Sequence, residues 1–306
     1  MFELEKIKGN TFRIRNGTNI GVYIFEDKSV VLIDTGLSGE PAEELIETLR
    51  EYQLDVKYII NTHGHWDHCG ANKQVKSAYN NVKTYFSKYE KIYSEAPEVF
   101  EPSFVNDEEK SYISKIVKKK LGTPDRVDET INEGDILELN GHEFSIFGCK
   151  GHTAAGIGVL TDDKVAFFGD SMISQNSFDK FDFVFISDHA VQMKTLSKIK
   201  QMDIEYGVMG HSNNIFTKDE IYEAADYNNN ALLRLRKLVI SILDVPKSID
   251  EITQDFFKRN KRESNDFLYI ECRNSLIAAL EYLIKCDKVD YSIDRDILKY
   301  KIADQG

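Results

Sequence analysis

The chain has 306 residues, of which 42% are hydrophobic and 29% charged, and it carries a formal net charge of −12. That length accommodates one large domain and a small one, and the composition is that of a globular protein in water. So large an acidic excess argues against a protein built mainly to bind nucleic acid or an anionic membrane, because such surfaces need clustered Lys and Arg. No apolar run reaches the length of a signal peptide or a membrane span, so a cytoplasmic location without membrane contact is expected. Cys69, Cys149, Cys272 and Cys286 form no C-x-x-C pair, and reduced thiols are expected.

The opening part reads as strand-rich. Residues 19–25 and 29–34 are two apolar, β-branched runs joined by Glu26-Asp27-Lys28, the pattern of a hairpin. The second run ends in Asp34-Thr35-Gly36, where the chain must turn. Pro41 opens a helix whose apolar face is Ala42, Leu45, Ile46 and Leu49. Lys57-Tyr58-Ile59-Ile60 is a short buried strand, residues 70–78 a helix, and residues 82–86 a further strand. Strand and helix in alternation point to a layered α/β domain.

Residues 87–130 interrupt this order. Helices are expected at 88–95 and 108–120, with Tyr89, Tyr93, Phe100, Phe104 and Tyr112 interspersed, and the insert reads equally as a lid over a site or as a decoration of the scaffold. Strands resume at 135–139 and 143–147 around Asn140-Gly141, a strong hairpin signal, and again at 157–160 and 165–168. A helix at 190–202 and a short strand at 205–209 follow. From residue 219 the pattern turns helical. A long helix to about residue 243, a second opened by the capping box Ser248-Ile249-Asp250-Glu251, a third striped by Leu276, Leu280 and Leu283, and a closing hairpin make a winged-helix-like domain over 219–306. That segment holds 14 Lys and Arg against 17 Asp and Glu, so protein contacts, including self-association, are expected of it before DNA reading.

The densest chemistry lies after the strand at 57–60, in Asn61-Thr62-His63-Gly64-His65-Trp66-Asp67-His68-Cys69-Gly70. Three of the chain's seven histidines and one carboxylate fall within six residues. Imidazole and carboxylate suit zinc, iron(II) or manganese. Four such side chains on one tight loop cannot converge on a single ion without strain, so the alternation assigns His63 and His65 to one ion and Asp67 and His68 to a second. Cys69 is expected to be an inert packed thiol, and His142 and His189 to be surface or capping residues. Three further ligand-capable side chains, His152, Asp170 and His211, each follow a glycine where a strand gives way to a loop.

Taken in order, His63, His65, Asp67, His68, His152, Asp170 and His211 resemble the metal-binding motifs of the metallo-β-lactamase superfamily, and Asp34-Thr35-Gly36 resembles its first motif. The resemblance covers residues 10–215 and implies a four-layer αβ/βα sandwich over residues 1–218. It also implies two divalent ions, zinc before iron or manganese. His63, His65 and His152 would hold the first ion and Asp67, His68 and His211 the second. Asp170 would bridge them, and Asp34 would orient ligands from behind. Two ions about 3.5–4 Å apart can share a hydroxide nucleophile, with Asp67 steering it, and no Ser or Cys nucleophile motif competes. The reading that follows is a binuclear hydrolase acting on a small ester, thioester or lactone. A nuclease acting on RNA or DNA and a ligand-sensing transcription regulator are the rivals, both disfavoured by the acidic balance.

Overall fold

The computed structural model describes residues 2–96, 125–175, 178, 183 and 185–304. Seven strands form the first sheet in chain order: β1 (Leu4–Lys8), β2 (Thr11–Asn16), β3 (Thr18–Ile24), β4 (Ser29–Ile33), β5 (Asp55–Ile60), β6 (Lys83–Ser87) and β7 (Glu129–Ile131). Strands β1 to β4 pair antiparallel, whereas β4 to β7 pair parallel. Parallel neighbours need crossovers. Helix α1 (Glu40–Glu51) supplies the first, and the short α2 (Trp66–Cys69) with α3 (Asn72–Ala78) the second. Beyond β6 lies α4 (Lys91–Glu95), shorter than the helix expected at 88–95 because residues 88–90 form a turn. The helix expected at 108–120, with Phe100, Phe104 and Tyr112, lies outside the described residues.

The second sheet runs in the order β13-β12-β11-β10-β9-β8, from β8 (Ile136–Leu139), β9 (His142–Gly148), β10 (Ile157–Thr161), β11 (Val165–Phe167), β12 (Tyr206–Val208) and β13 (Phe216–Thr217). The β8–β9 turn holds Asn140 at φ 50° and Gly141 at φ 83°, the pair of positive angles that a two-residue hairpin demands.

Burial explains why these runs stack. Every residue of β4 is buried, because both faces of its sheet are covered. Val30 and Leu32 point to one side, where Ala42, Leu45 and Leu49 of α1 and Val75 of α3 meet them. Val31 and Ile33 point to the other, against Phe144, Ile146 and Val159 of the second sheet. On that sheet's outer face, Ala166 and Phe168 pack against Leu196 and Ile199 of α5 (His189–Ile199) and Ile221 and Ala225 of α6 (Lys218–Ile242). The layers are therefore helix, sheet, sheet, helix, the four-layer sandwich expected.

Helix α6 is 25 residues long and serves two cores. Its second half adds Leu235, Val239 and Ile242 to a cluster with Phe256 of α7 (Ile249–Arg259), Leu276 and Leu280 of α8 (Asp266–Lys285), and Val289 and Tyr300 of the hairpin β14 (Val289–Asp294) and β15 (Ile297–Ile302). The capping box at Ser248 forms as expected, with Glu251 N donating to Ser248 Oγ at 3.3 Å and Ser248 N to Glu251 Oε2 at 2.7 Å. Midway along α6, buried Asn228 donates from Nδ2 to Ile173 O at 2.8 Å and accepts from Ile173 N at 3.1 Å, tying the helix to the loop after Asp170. Replacing Asn228 by Ala strands both backbone groups of Ile173. A loss of about 1–3 kcal/mol in stability is expected, read as a lower midpoint in urea unfolding; an unchanged midpoint would show that water replaces the amide without cost.

Candidate metal centre

The candidate side chains gather where strands of both sheets end. Asp34 directly follows β4, His63 to His68 follow β5, His152 lies beyond β9, Asp170 beyond β11 and His211 beyond β12. Loops at one edge of a layered sheet converge on a common space, which is why these distant segments meet. The decad at 61–70 is only partly a loop. Asp67 and His68 sit in the single turn of α2, so they leave the backbone in a different direction from His63 and His65.

Two groups of donor atoms result. One donor atom from each of His63, His65, His152 and Asp170 lies within 4.8 Å of the others, and the same holds for Asp67, His68 and His211. Asp170 faces both groups, with Oδ2 3.7 Å from His152 Nε2 and 3.2 Å from His211 Nε2, and Oδ1 3.2 Å from His68 Nε2. His211 Nε2 also stands 3.3 Å from Asp67 Oδ2. The structure brings His63 and His65 together in one group and Asp67 and His68 in the other.

The rings are held from behind. Asp34 Oδ2 bonds His68 Nδ1 at 2.8 Å, and its carboxylate also accepts from Thr62 N and Thr62 Oγ1, each at 2.8 Å. Thr62 Oγ1 lies 3.0 Å from His63 Nδ1, and His152 Nδ1 bonds Phe185 O. With those nitrogens engaged, the Nε2 atom of His63 is buried and makes no hydrogen bond, while that of His68 faces only the Asp170 carboxylate. A buried polar nitrogen without a partner is costly. A cation among the donor atoms around it removes that cost, so the donor set fits a divalent metal of the zinc, iron or manganese kind. Gly210 leaves room for the arrangement: a Cβ there would come within 2.2 Å of Asp170 Oδ1 and 2.8 Å of His68 Cε1.

Charge follows the same geometry. Burial first, then the neighbouring imidazoles, hold His63 well below its ordinary range and His65 down at about 3. The Asp170 carboxylate, against the effect of burial, pushes His211 up to about 10. Burial opposes the charge of His68, yet Asp170 and Asp34 outweigh it and raise its proton affinity. Burial likewise opposes ionisation of Asp67, but the His211 hydrogen bond and the charge of His68 bring its carboxyl to about 2. The second group thus favours positive charge beside ionised carboxylates, while His63 and His65 of the first are kept neutral. A dication in the second group would displace protons from His68 and His211, as metal sites do.

Two histidines lie outside the groups. His142 is only partly exposed, with Nδ1 2.7 Å from Asp162 Oδ2 and 2.8 Å from the Tyr23 hydroxyl. His189 opens α5 but is buried, not a surface residue, with Nδ1 3.4 Å from Arg236 Nη1. Cys69 is buried, its Sγ bonded to Gly64 O and its thiol pushed up by burial, as expected of packing. Sequence reasoning missed Asn19, whose Nδ2 bonds Met209 O and Ser212 O on either side of His211, and Glu90, a buried carboxylate behind His65. Neither carries a signal a single sequence can show, since a lone Asn or Glu is ordinary in a strand or loop. Tyr93 from the insert does reach the site, its ring 6.5 Å from that of His65.

A family model described as the metallo-beta-lactamase superfamily matches residues 14–211. The chain is 32% identical over 166 residues to the hydroxyacylglutathione hydrolase GloC of Haemophilus influenzae, covering 52% of this chain and 68% of that protein. It is 23% identical over 273 residues to a hydroxyacylglutathione hydrolase of Prochlorococcus marinus, covering 86% of this chain and 94% of that one. A crystal structure of a beta-lactamase domain protein from Burkholderia ambifaria superposes with a TM-score of 0.76 at 16% identity, over 98% of this chain and 94% of that one. The family match spans more than half of the length and contains every residue of the two donor groups, and the chain accordingly belongs to the metallo-β-lactamase superfamily and is a metal-dependent hydrolase.

Proposed function

We propose that the chain is a binuclear hydrolase of small thioesters, with His63, His65 and His152 holding one ion, Asp67, His68 and His211 a second, and Asp170 between them. The observation that carries the binuclear reading is the position of Asp170, whose two oxygens face donor atoms of both groups. When bound, a pair of divalent ions supplies a Lewis acid for the scissile carbonyl and lowers the pKa of water. The chain's own residues set the stage for it. Asp34 and Thr62 fix the rings of His68 and His63. In this reading Asp67, half-buried and held ionised by His211, accepts a hydrogen bond from the attacking water and steers it toward the scissile carbonyl. Hydrolysis then breaks the carbonyl carbon to sulfur bond, forms a carbon to oxygen bond, and releases a carboxylate and a thiol.

A protein nucleophile is not needed, and no cysteine among the described residues is poised beside the two donor groups. Cys69 and Cys149 are buried, and burial pushes the Cys149 thiol up to about 12, far from the thiolate a nucleophile requires. The preference for thioesters over oxygen esters and lactones rests on the two relatives, both named hydroxyacylglutathione hydrolases. Against a nuclease stands the net charge of −12, which repels a polyphosphate backbone.

Elemental analysis of protein purified without chelator should return two ions per chain, and Asp170→Ala should lower both occupancies. A wild type with one tightly held ion, or a mutant that keeps two, would sink the binuclear reading. In a panel of hydroxyacyl thioesters, lactones, phosphodiesters and RNA, the highest kcat/KM is expected for a hydroxyacyl thioester, and Asp67→Ala should lower it by about 10²-fold or more. Turnover confined to phosphodiesters or RNA would replace the thioester reading by the nuclease one.

A further inference from the structure

We infer that Glu90, at the start of the insert, is a positioning residue that sets the geometry of the first metal group, an inference resting on the binuclear reading above. Glu90 is 1% exposed, which for a carboxylate demands an explanation. Its Oε2 accepts from Gly64 N at 3.1 Å, and its Oε1 accepts from Ala155 N at 3.1 Å. Among the described residues no Lys or Arg pairs with it. The carboxylate therefore bridges two backbone loops, one carrying His63 and His65 on either side of Gly64, the other carrying His152 three residues before Ala155. Those are the three histidines of the first group. The end of β6 grips the second loop once more, since Ser87 Oγ donates to Ala155 O at 2.6 Å.

His65 shows why such a strut is needed. His63, His68 and His152 each have Nδ1 held by Thr62, Asp34 or Phe185. His65 instead turns Nδ1 inward, 3.0 Å from His152 Nε2. Its ring orientation is set by where the Gly64 to His65 backbone lies and by the Tyr93 side chain. Gly64 permits that packing, for a Cβ there would lie 2.4 Å from Tyr93 Cβ. Glu90 thus does through the backbone what Asp34 does through a ring nitrogen.

The test is a competitive zinc titration of the full chain against a chelator, with the wild type, Glu90→Gln and Glu90→Asp, beside thermal unfolding of the metal-free forms. Glutamine keeps one acceptor oxygen but turns an NH₂ toward the other amide. Aspartate keeps the charge but is too short to reach both loops. Either variant should weaken one of the two zinc affinities by about 10–100-fold, the usual cost of losing a group that orients a ligand, and leave the other within about twofold. Equal weakening of both ions would mean general destabilisation and would overturn the inference, as would wild-type affinities in two folded variants. If one variant fails to fold, the other decides. A wild type that takes up fewer than two ions refutes the binuclear reading itself and takes this inference with it, whereas two ions in the wild type with unaltered variants refute the role of Glu90 alone.

Discussion

Asp34 is the constraint on which the site depends. It sits at φ 62°, a left-handed backbone position that Asp tolerates better than most residues, so the chain leaves β4 sharply and points the carboxylate across to the next strand's loop. There it takes Thr62 N, Thr62 Oγ1 and His68 Nδ1 together. One buried carboxylate therefore fixes the exit of β5, the position of α2 and the ring of a histidine that is fully buried. The pinning spreads through side chains of the same kind. Thr35 Oγ1 bonds Asn72 Oδ1, Asn72 Nδ2 bonds Asn61 Oδ1, and Asn61 Nδ2 reaches His68 O. Apolar packing is non-directional and cannot aim a ring to within a fraction of an ångström. Hydrogen bonds in a low-dielectric interior can, provided that each partner is satisfied. That is why the wall behind the histidines is built of Thr, Asn and Asp while the layers on either side are Val, Ile and Leu.

Much of this was legible in the sequence because it rests on local patterns. The runs at 19–25 and 29–34, the Asn140-Gly141 turn and the Ser248 box each carry their own signal, and all appear within a residue or two of where periodicity puts them. The decad at 61–70 was legible for a different reason: its composition has no packing explanation. Strands β1 and β2 were hidden by charge. Arg13 lies in the middle of β2 yet is 2% exposed, because it pairs with Glu5 across the β1–β2 ladder and donates to Asn213 O. A buried Arg looks like a surface residue until its partners are known. The turn of α2 was missed since four residues carry no periodicity, and the roles of Glu90 and Asn19 since their partners are backbone groups distant in sequence, which no local rule anticipates.

The C-terminal helices are less separate from the site than the change of pattern at residue 219 suggests. That point falls at the beginning of α6, and the first turns of α6 complete the outer layer by burying Ile221 and Ala225 beside Phe168 and Met209. Further along, Asn228 holds Ile173 beyond Asp170. Further still, Arg236 is 6% exposed, lies 4.3 Å from the centre of the Tyr282 ring of α8 and donates to His189 at the head of α5. From there the path to the site is short. Asp188 caps α5 with its side chain, while the backbone N–H groups of Ser187 and Asp188 both donate to Gly151 O, the carbonyl next to His152. A helix that packs into both cores, bonds to the loop of Asp170 and grips the head of α5, whose preceding residues hold Gly151, cannot shift without moving them. The acidic, mostly helical segment is thus mechanically part of the layer that carries the metal-binding loops, whatever further contacts its exposed hairpin residues Tyr291, Ile293 and Ile297 make.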